Sequence, residues 1–277
     1  MITSSGCTNG GAAKPTTAIN VAVGLAMRGG AVCLVDADAQ RSASRWYAER
    51  EDSDLEPRIT LIEKRDNISA TLRNLDEKYE HVIVDVAGRN SRELITGGTV
   101  AHQIIAPHQC SQLDLDTMEE LRLQIEAIRD LNSELKVFCY QTMATTNPLL
   151  QGNERHEFLE FVTEFETITP LSSVGCYRKV YRDVMSQGKS VLETDNSEAF
   201  HDLFKAGLNV SQQILTPELR GVSLIDLVLD TCAPKCLDLL LSNYQENDIP
   251  LSGVVFKKAI FNGNKESLDI FLQHPIE

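Results

Sequence analysis

The chain has 277 residues, 42% hydrophobic and 6% aromatic, enough for one or two cored domains. Its formal net charge of −14 divides into 21 basic against 31 acidic side chains over residues 1–216 and 5 against 9 over residues 217–277. That balance excludes a broadly basic nucleic-acid binder and leaves only local patches, Arg178, Lys179 and Arg182 or Lys257 and Lys258, for any DNA contact.

No run of 18 apolar residues and no secretory leader is evident, so a soluble, cytoplasmic chain with no membrane partner is expected. The seven cysteines are scattered without a Cys-x-x-Cys pair and read as reduced thiols; Cys232 and Cys236 read as buried helix residues rather than half a metal site.

In chain order, Met1 to Cys7 stands where a first strand belongs, yet Thr3-Ser4-Ser5 is polar where a central strand is normally β-branched and apolar. Residues 9–17, Asn-Gly-Gly-Ala-Ala-Lys-Pro-Thr-Thr, then read as a phosphate-binding loop with parts replaced. Gly10, Gly11 and Lys14 give flexible backbone and an ammonium group before a helix start. Pro15 occupies the place of a magnesium-binding hydroxyl; it removes that ligand and a backbone N–H together and should bias Lys14 away from the helical region.

A helix follows, with Pro15 as its first residue, Ala18, Ile19, Ala22, Leu25 and Ala26 at helical spacing, and Gly29-Gly30 at its end. Ala31 to Val35 reads as a buried strand delivering Asp36 and Asp38. His81 to Val84 reads as a second, delivering Asp85. Carboxylates at the ends of parallel strands beside such a loop are the surroundings expected of a Mg-nucleotide.

Residues 58–62, 103–106 and 137–140 are further strands. Asn67–Lys78 is a helix, and Asp116–Asn132 is another with an apolar stripe of Met118, Leu121, Ile125 and Ile128. Ser197–Leu215 would be a helix closing the domain. Alternating strands and helices imply an α/β fold with a mostly parallel sheet covered on both faces.

These segments together resemble the ParA/MinD family of deviant Walker-motif ATPases, most closely its short plasmid-partition branch. The resemblance spans residues 1–216 and rests on the loop at 9–17, on Val35 to Gln40 followed by Ser42 to Trp46, on Asp85 to Gly88, on Ala106-Pro107 with Ser111 to Leu115, on Ala144 to Pro148 and on Arg178 to Asp183. It implies a P-loop NTPase-like fold that binds ATP and Mg2+, closes as a homodimer, and engages non-specific DNA and a ParB-like adaptor in plasmid or chromosome segregation.

It implies nucleotide binding by Gly10, Gly11, Ala12, Ala13, Lys14, Thr16 and Thr17, and magnesium held by Asp36 and Asp85, with Thr16 as a shifted hydroxyl. Asp38 would position the attacking water and Lys14 would neutralise phosphate charge. Three family positions are altered: the lysine that crosses the dimer interface falls on Asn9, a loop glycine on Ala13, and the magnesium threonine on Pro15. Impaired hydrolysis is therefore expected. Arg89 and Arg178 are read as surface ion-pair formers, and His108 as structural.

Residues 217–277 are a different unit. Aligning Val228 with Ala259 brings Cys232 onto Gly263, Leu237 onto Leu268 and Leu240-Leu241 onto Phe271-Leu272. This spacing resembles two ankyrin-type helical repeats, which would dock on the first domain or bind a protein partner. Three function classes follow: a partition ATPase, a pseudo-ATPase acting as a binding module, and an interaction protein working through its tail.

Overall fold

The computed structural model describes residues 1–194 except 9, 89–90 and 111–113. The expected helix at 197–215, the ankyrin-like repeats and the domain boundary at 216 lie outside the described residues, as do Asn9, Arg89, Cys232 and Cys236.

Among the described residues one seven-stranded sheet is formed, by β1 (Ile2–Ser5), β2 (Val32–Ala37), β3 (Thr60–Glu63), β4 (His81–Val86), β5 (Gln103–His108), β6 (Lys136–Ala144) and β7 (Thr169–Cys176). Their order is β3-β2-β4-β1-β5-β6-β7, and every pairing is parallel. The helices are α1 (Lys14–Met27), α2 (Ser42–Asp52), α3 (Ser69–Asp76), α4 (Arg92–Gly98), α5 (Asp114–Arg129), α6 (Pro148–Thr163) and α7 (Val180–Met185), followed by one 3-10 turn at Val191–Glu193.

Strand side chains alternate between two cores, as the pleat requires. Cys33, Val35, Val82, Val84 and Ile104 pack with Leu72, Leu94, Met118, Leu121, Ile125, Ile128 and Phe158 of α3 to α6. Val32, Leu34 and Ile83 pack with Ile19, Ala22, Val23 and Trp46 of α1 and α2 on the opposite face. The apolar stripes expected for α1 and α5 are buried.

β1 is central despite its polarity. Its four residues are buried between β4 and β5, and Thr3 accepts a 2.7 Å hydrogen bond from Gln103 Nε2. Ser5 Oγ donates to Lys14 O at 3.0 Å, whereas Ser4 Oγ is buried with no hydrogen-bond partner among the described residues; two of the strand's three hydroxyls thus offset the cost of their burial.

The chain winds from β1 outward to β3, then returns past β1 from β4 to β7. The reversal lies at β1 and β4, so the carboxyl ends of these strands border the crevice in which parallel α/β sheets bind ligands. Ser5, Asp85 and Asp36 occupy one register row across β1, β4 and β2 at that end.

Candidate nucleotide site

The loop between β1 and α1 is tied down on its carbonyl side. Gln109 Nε2 donates to Gly11 O at 3.2 Å, and Thr142 Oγ1 to Ala12 O at 3.3 Å. Thr17 donates to Ala13 O through both N–H and Oγ1, each at 2.9 Å, and Ser5 Oγ donates to Lys14 O at 3.0 Å. A trans peptide points its N–H opposite its carbonyl. The N–H groups of Ala12, Ala13 and Lys14 are therefore turned away from these anchors, as an anion cradle requires. The fourth peptide of the run ends at Pro15 and has no N–H to offer.

Three backbone features make the close turn. Gly11 has φ 80°, and a Cβ at Gly6 would lie 2.6 Å from Val86 Cγ2 and 2.7 Å from Leu94 Cδ1. Ala13, at the helix N-cap, has φ 63° and ψ 29°, a left-handed conformation that glycine adopts freely and alanine does not. Lys14 is helical, contrary to the bias expected from the following proline, and Pro15 is the second helical residue rather than the first. The tied loop fixes Lys14 at the helix start more strongly than the local steric preference opposes it.

The carboxylates differ sharply. Asp36 is buried, and its Oδ2 accepts from Ser44 N–H at 2.7 Å and Ser44 Oγ at 2.6 Å while Oδ1 accepts from Asp38 N–H at 3.1 Å. It clamps the start of α2 onto the end of β2. Asp38 is half-buried, and its Oδ1 accepts from Gln40 N–H at 2.8 Å.

Asp85 is fully buried, and neither oxygen has a hydrogen-bond partner among the described residues. Burial pushes its carboxyl well above the ordinary range; the charges of Asp36 and Asp38 push the same way, and Lys14 opposes them. The four side chains thus lie within electrostatic reach of one another.

Two cavities flank the loop. The larger, about 620 Å³, is lined by Thr8, Gly10, Gly11, Ala13, Lys14, Pro15, Asp38, Gln40, Ser42, Gly88 and Thr117. The smaller, about 310 Å³ and mainly apolar, is walled by Tyr140, Met143, Tyr177, Tyr181 and Arg178, and by Thr16 and Thr17. Ala13 belongs to both.

The expected site residues therefore divide. Gly10, Gly11, Ala13, Lys14 and Asp38 meet at the larger cavity, Thr16 and Thr17 at the smaller; Ala12 is buried behind the loop. Asp36 and Asp85 stand beside the larger cavity without lining it. Arg178, expected at an ordinary surface, lines the smaller one. His108, read as structural, is buried, with Nδ1 3.0 Å from Gln109 O and Nε2 3.4 Å from Thr117 Oγ1.

Sequence reading missed Ser5, Gln109 and Thr142, which anchor the loop. Only their positions at strand ends facing a Gly-Gly turn could have marked them. The aromatic wall of the smaller cavity comes from β6, the residue that follows β7, and α7, and has no linear signature.

The residues fit a polyphosphate better than its metal. Lys14 and the three turned N–H groups suit phosphate oxygens, and an unbonded buried carboxylate suits the protons of metal-bound water. Among the described residues no three His, Cys, Asp or Glu side chains come close enough to ligate a metal directly. Pro15 removes the hydroxyl ligand, and Thr16 lines the other cavity.

The sheet order, the strand–loop–helix junction at Lys14 and the register of Asp36 with Asp85 define a P-loop NTPase-like α/β fold. Residues 2–134 match the family model described as ATPase MipZ, a ParA/MinD-type ATPase. Three solved structures share the fold. McdA from Cyanothece is 17% identical with a TM-score of 0.62, the match covering 76% of this chain and 98% of that one. A protein of Borrelia burgdorferi B31 described as a plasmid partition protein, bound to AMPPNP, is 16% identical with a TM-score of 0.57, covering 77% and 99%. Cobyrinic acid a,c-diamide synthase from Mycobacterium smegmatis, with ADP and magnesium bound, is 18% identical with a TM-score of 0.55, covering 77% and 95%. No curated protein matches significantly. No helix among the described residues is long and apolar enough to cross a membrane.

Proposed function

We propose that this chain is a ParA-like partition protein that binds ATP–Mg and hydrolyses it very slowly. The observation that carries this reading is the buried, unbonded Asp85 carboxylate beside Lys14 and a loop whose carbonyls are tied back. A charge buried without a hydrogen bond is costly, and a ligand that brings cations and bound water to it would offset that cost.

Bound ATP–Mg would supply the phosphoryl group and the cation. Lys14 would balance phosphate charge, and the N–H groups of Ala12, Ala13 and Lys14 would hold phosphate oxygens. Asp85, aided by the spare lone pairs of Asp36, would accept hydrogen bonds from metal-bound water, and Asp38 would orient the attacking water. The apolar smaller cavity, sharing Ala13 with the larger, would take the base. Nucleotide binding would drive homodimerisation and engagement of DNA and a ParB-like adaptor, as in the partition proteins this chain resembles.

Pro15 and Asn9 support a second reading, a pseudo-ATPase that binds nucleotide as a switch without turnover, with residues 217–277 serving a protein partner. Where a catalytic cation is lost, rates commonly fall by about three to five orders of magnitude.

Isothermal titration with ATP and MgCl2 tests binding: micromolar affinity is expected, and none at millimolar ATP sinks both readings. Phosphate release then separates them. The triple restoration Asn9→Lys, Ala13→Gly and Pro15→Thr should tighten ATP binding and raise turnover; equal turnover before and after restoration would refute impaired hydrolysis.

A further inference from the structure

The turn leading into α2 holds a residue that the nucleotide reading leaves unused. Arg41 has φ 55° and ψ 38°, a left-handed conformation that glycine adopts freely and a side-chain-bearing residue does not. The turn is fixed: Arg41 N–H donates to Asp38 O at 3.0 Å, and Arg45 N–H donates to Arg41 O at 3.1 Å. The guanidinium therefore springs from a pinned point between Gln40 and Ser42, both of which line the larger cavity.

Its partner is Glu63 at the end of β3, 2.5 Å away, with 56% of the arginine side chain and 39% of the glutamate exposed. An ion pair this exposed is worth little and is easily exchanged. Among the described residues that line the cavity beside it, Lys14 is the one cation, against Asp38 on the wall and Asp36 and Asp85 alongside. The Asp38–Ser42 turn also lies on the larger cavity alone, away from the apolar one.

We propose that Arg41 is a phosphate-binding residue that leaves Glu63 and closes on the end of a bound nucleotide's polyphosphate farthest from the base. A guanidinium fork matches two phosphate oxygens, and from this turn it would approach opposite Lys14. The inference rests on the nucleotide reading above.

Titration calorimetry of the full chain with ATP, ADP and AMP, each with MgCl2, tests it on wild type, Arg41→Gly and Glu63→Gln. Arg41→Gly should weaken ATP about five- to tenfold while AMP stays within twofold. Its nucleotide-free melting temperature should not fall, because glycine suits the left-handed turn. Glu63→Gln should tighten ATP about two- to threefold by freeing the arginine. ATP bound equally by wild type and Arg41→Gly would overturn the assignment and leave the nucleotide reading standing. Glu63→Gln weakening ATP as much as Arg41→Gly would show the pair to be structural and overturn it too. No ATP binding by the wild-type chain would remove both.

Discussion

Strand β4 carries a buried titratable side chain at each end, and the two behave differently. At the amino end His81 is 2% exposed, and neither ring nitrogen has a hydrogen-bond partner among the described residues. Burial lowers its pKa, the amino group of Met1 adds to the effect, and Glu80 opposes it. The fold thus keeps a neutral imidazole, at a modest cost. At the carboxyl end Asp85 is equally unbonded, but it sits among Asp36, Asp38 and Lys14 beside a cavity. An unsatisfied buried group becomes a candidate site when its charge, its neighbours and an open space coincide. His81 has only the burial.

The largest expected effect comes from removing charge at the cavity end. Asp85→Asn should stabilise the nucleotide-free protein by about 2 kcal/mol in urea melts, because a neutral amide is cheaper to bury than a carboxylate. The same variant should bind ATP–Mg at least tenfold more weakly. Destabilisation by Asp85→Asn would mean that the carboxylate is a structural acceptor, and the contrast between the two ends of β4 would vanish.

The amino end gives the next effect, through pH. Folded His81 resists protonation, whereas the unfolded chain takes up the proton below about pH 6.5. The unfolded state then binds more protons, so stability falls as pH drops below that value, by at most about 2 kcal/mol at pH 5. Asp85 runs the other way. Its raised pKa favours the folded state at low pH, and that contribution is lost as pH rises through the folded value. Urea melts at pH 7.5 and 5.0 should therefore show a smaller acid loss for His81→Leu than for wild type, and a larger one for Asp85→Asn. Identical slopes for all three would show that neither end of β4 governs acid stability.

Much of this arrangement was legible in the sequence, for identifiable reasons. Apolar runs ending in Asp36 and Asp85 marked β2 and β4, because buried parallel strands are continuous hydrophobic runs. The Gly-Gly-x-x-Lys spacing marked the loop. β7 went unread because Thr-Pro-Leu-Ser-Ser-Val-Gly-Cys carries proline and glycine; among the described residues it is an edge strand, where proline is tolerated. α6 begins with Asn147 capping Leu149 N–H and Pro148 at its first turn, a start signal outweighed by the weak apolar periodicity that follows. α2 and α4 are short and mostly polar on one side. The site's carboxylates were readable one by one, but not their difference. That Asp36 is bonded by Ser44 while Asp85 is bonded by nothing described depends on which strand end meets which helix, and no linear pattern encodes it.

The smallest expected effect lies on the loop wall, at Ala13. Its left-handed backbone is a strain borne by the cavity itself, whereas the cost at Asp85 is electrostatic. Glycine at this position relieves the Cβ clash, worth about 1 kcal/mol. It also loosens the unfolded chain, which returns part of the gain. The net for Ala13→Gly should be about 0.5 kcal/mol of added stability, read as a rise of about 1–2 °C in melting temperature. ATP affinity should hold or improve, since the turn is already shaped as glycine would shape it. A fall in melting temperature would instead show that the methyl group's packing outweighs its strain, and that the loop, unlike Asp85, stores no cost that a ligand could offset.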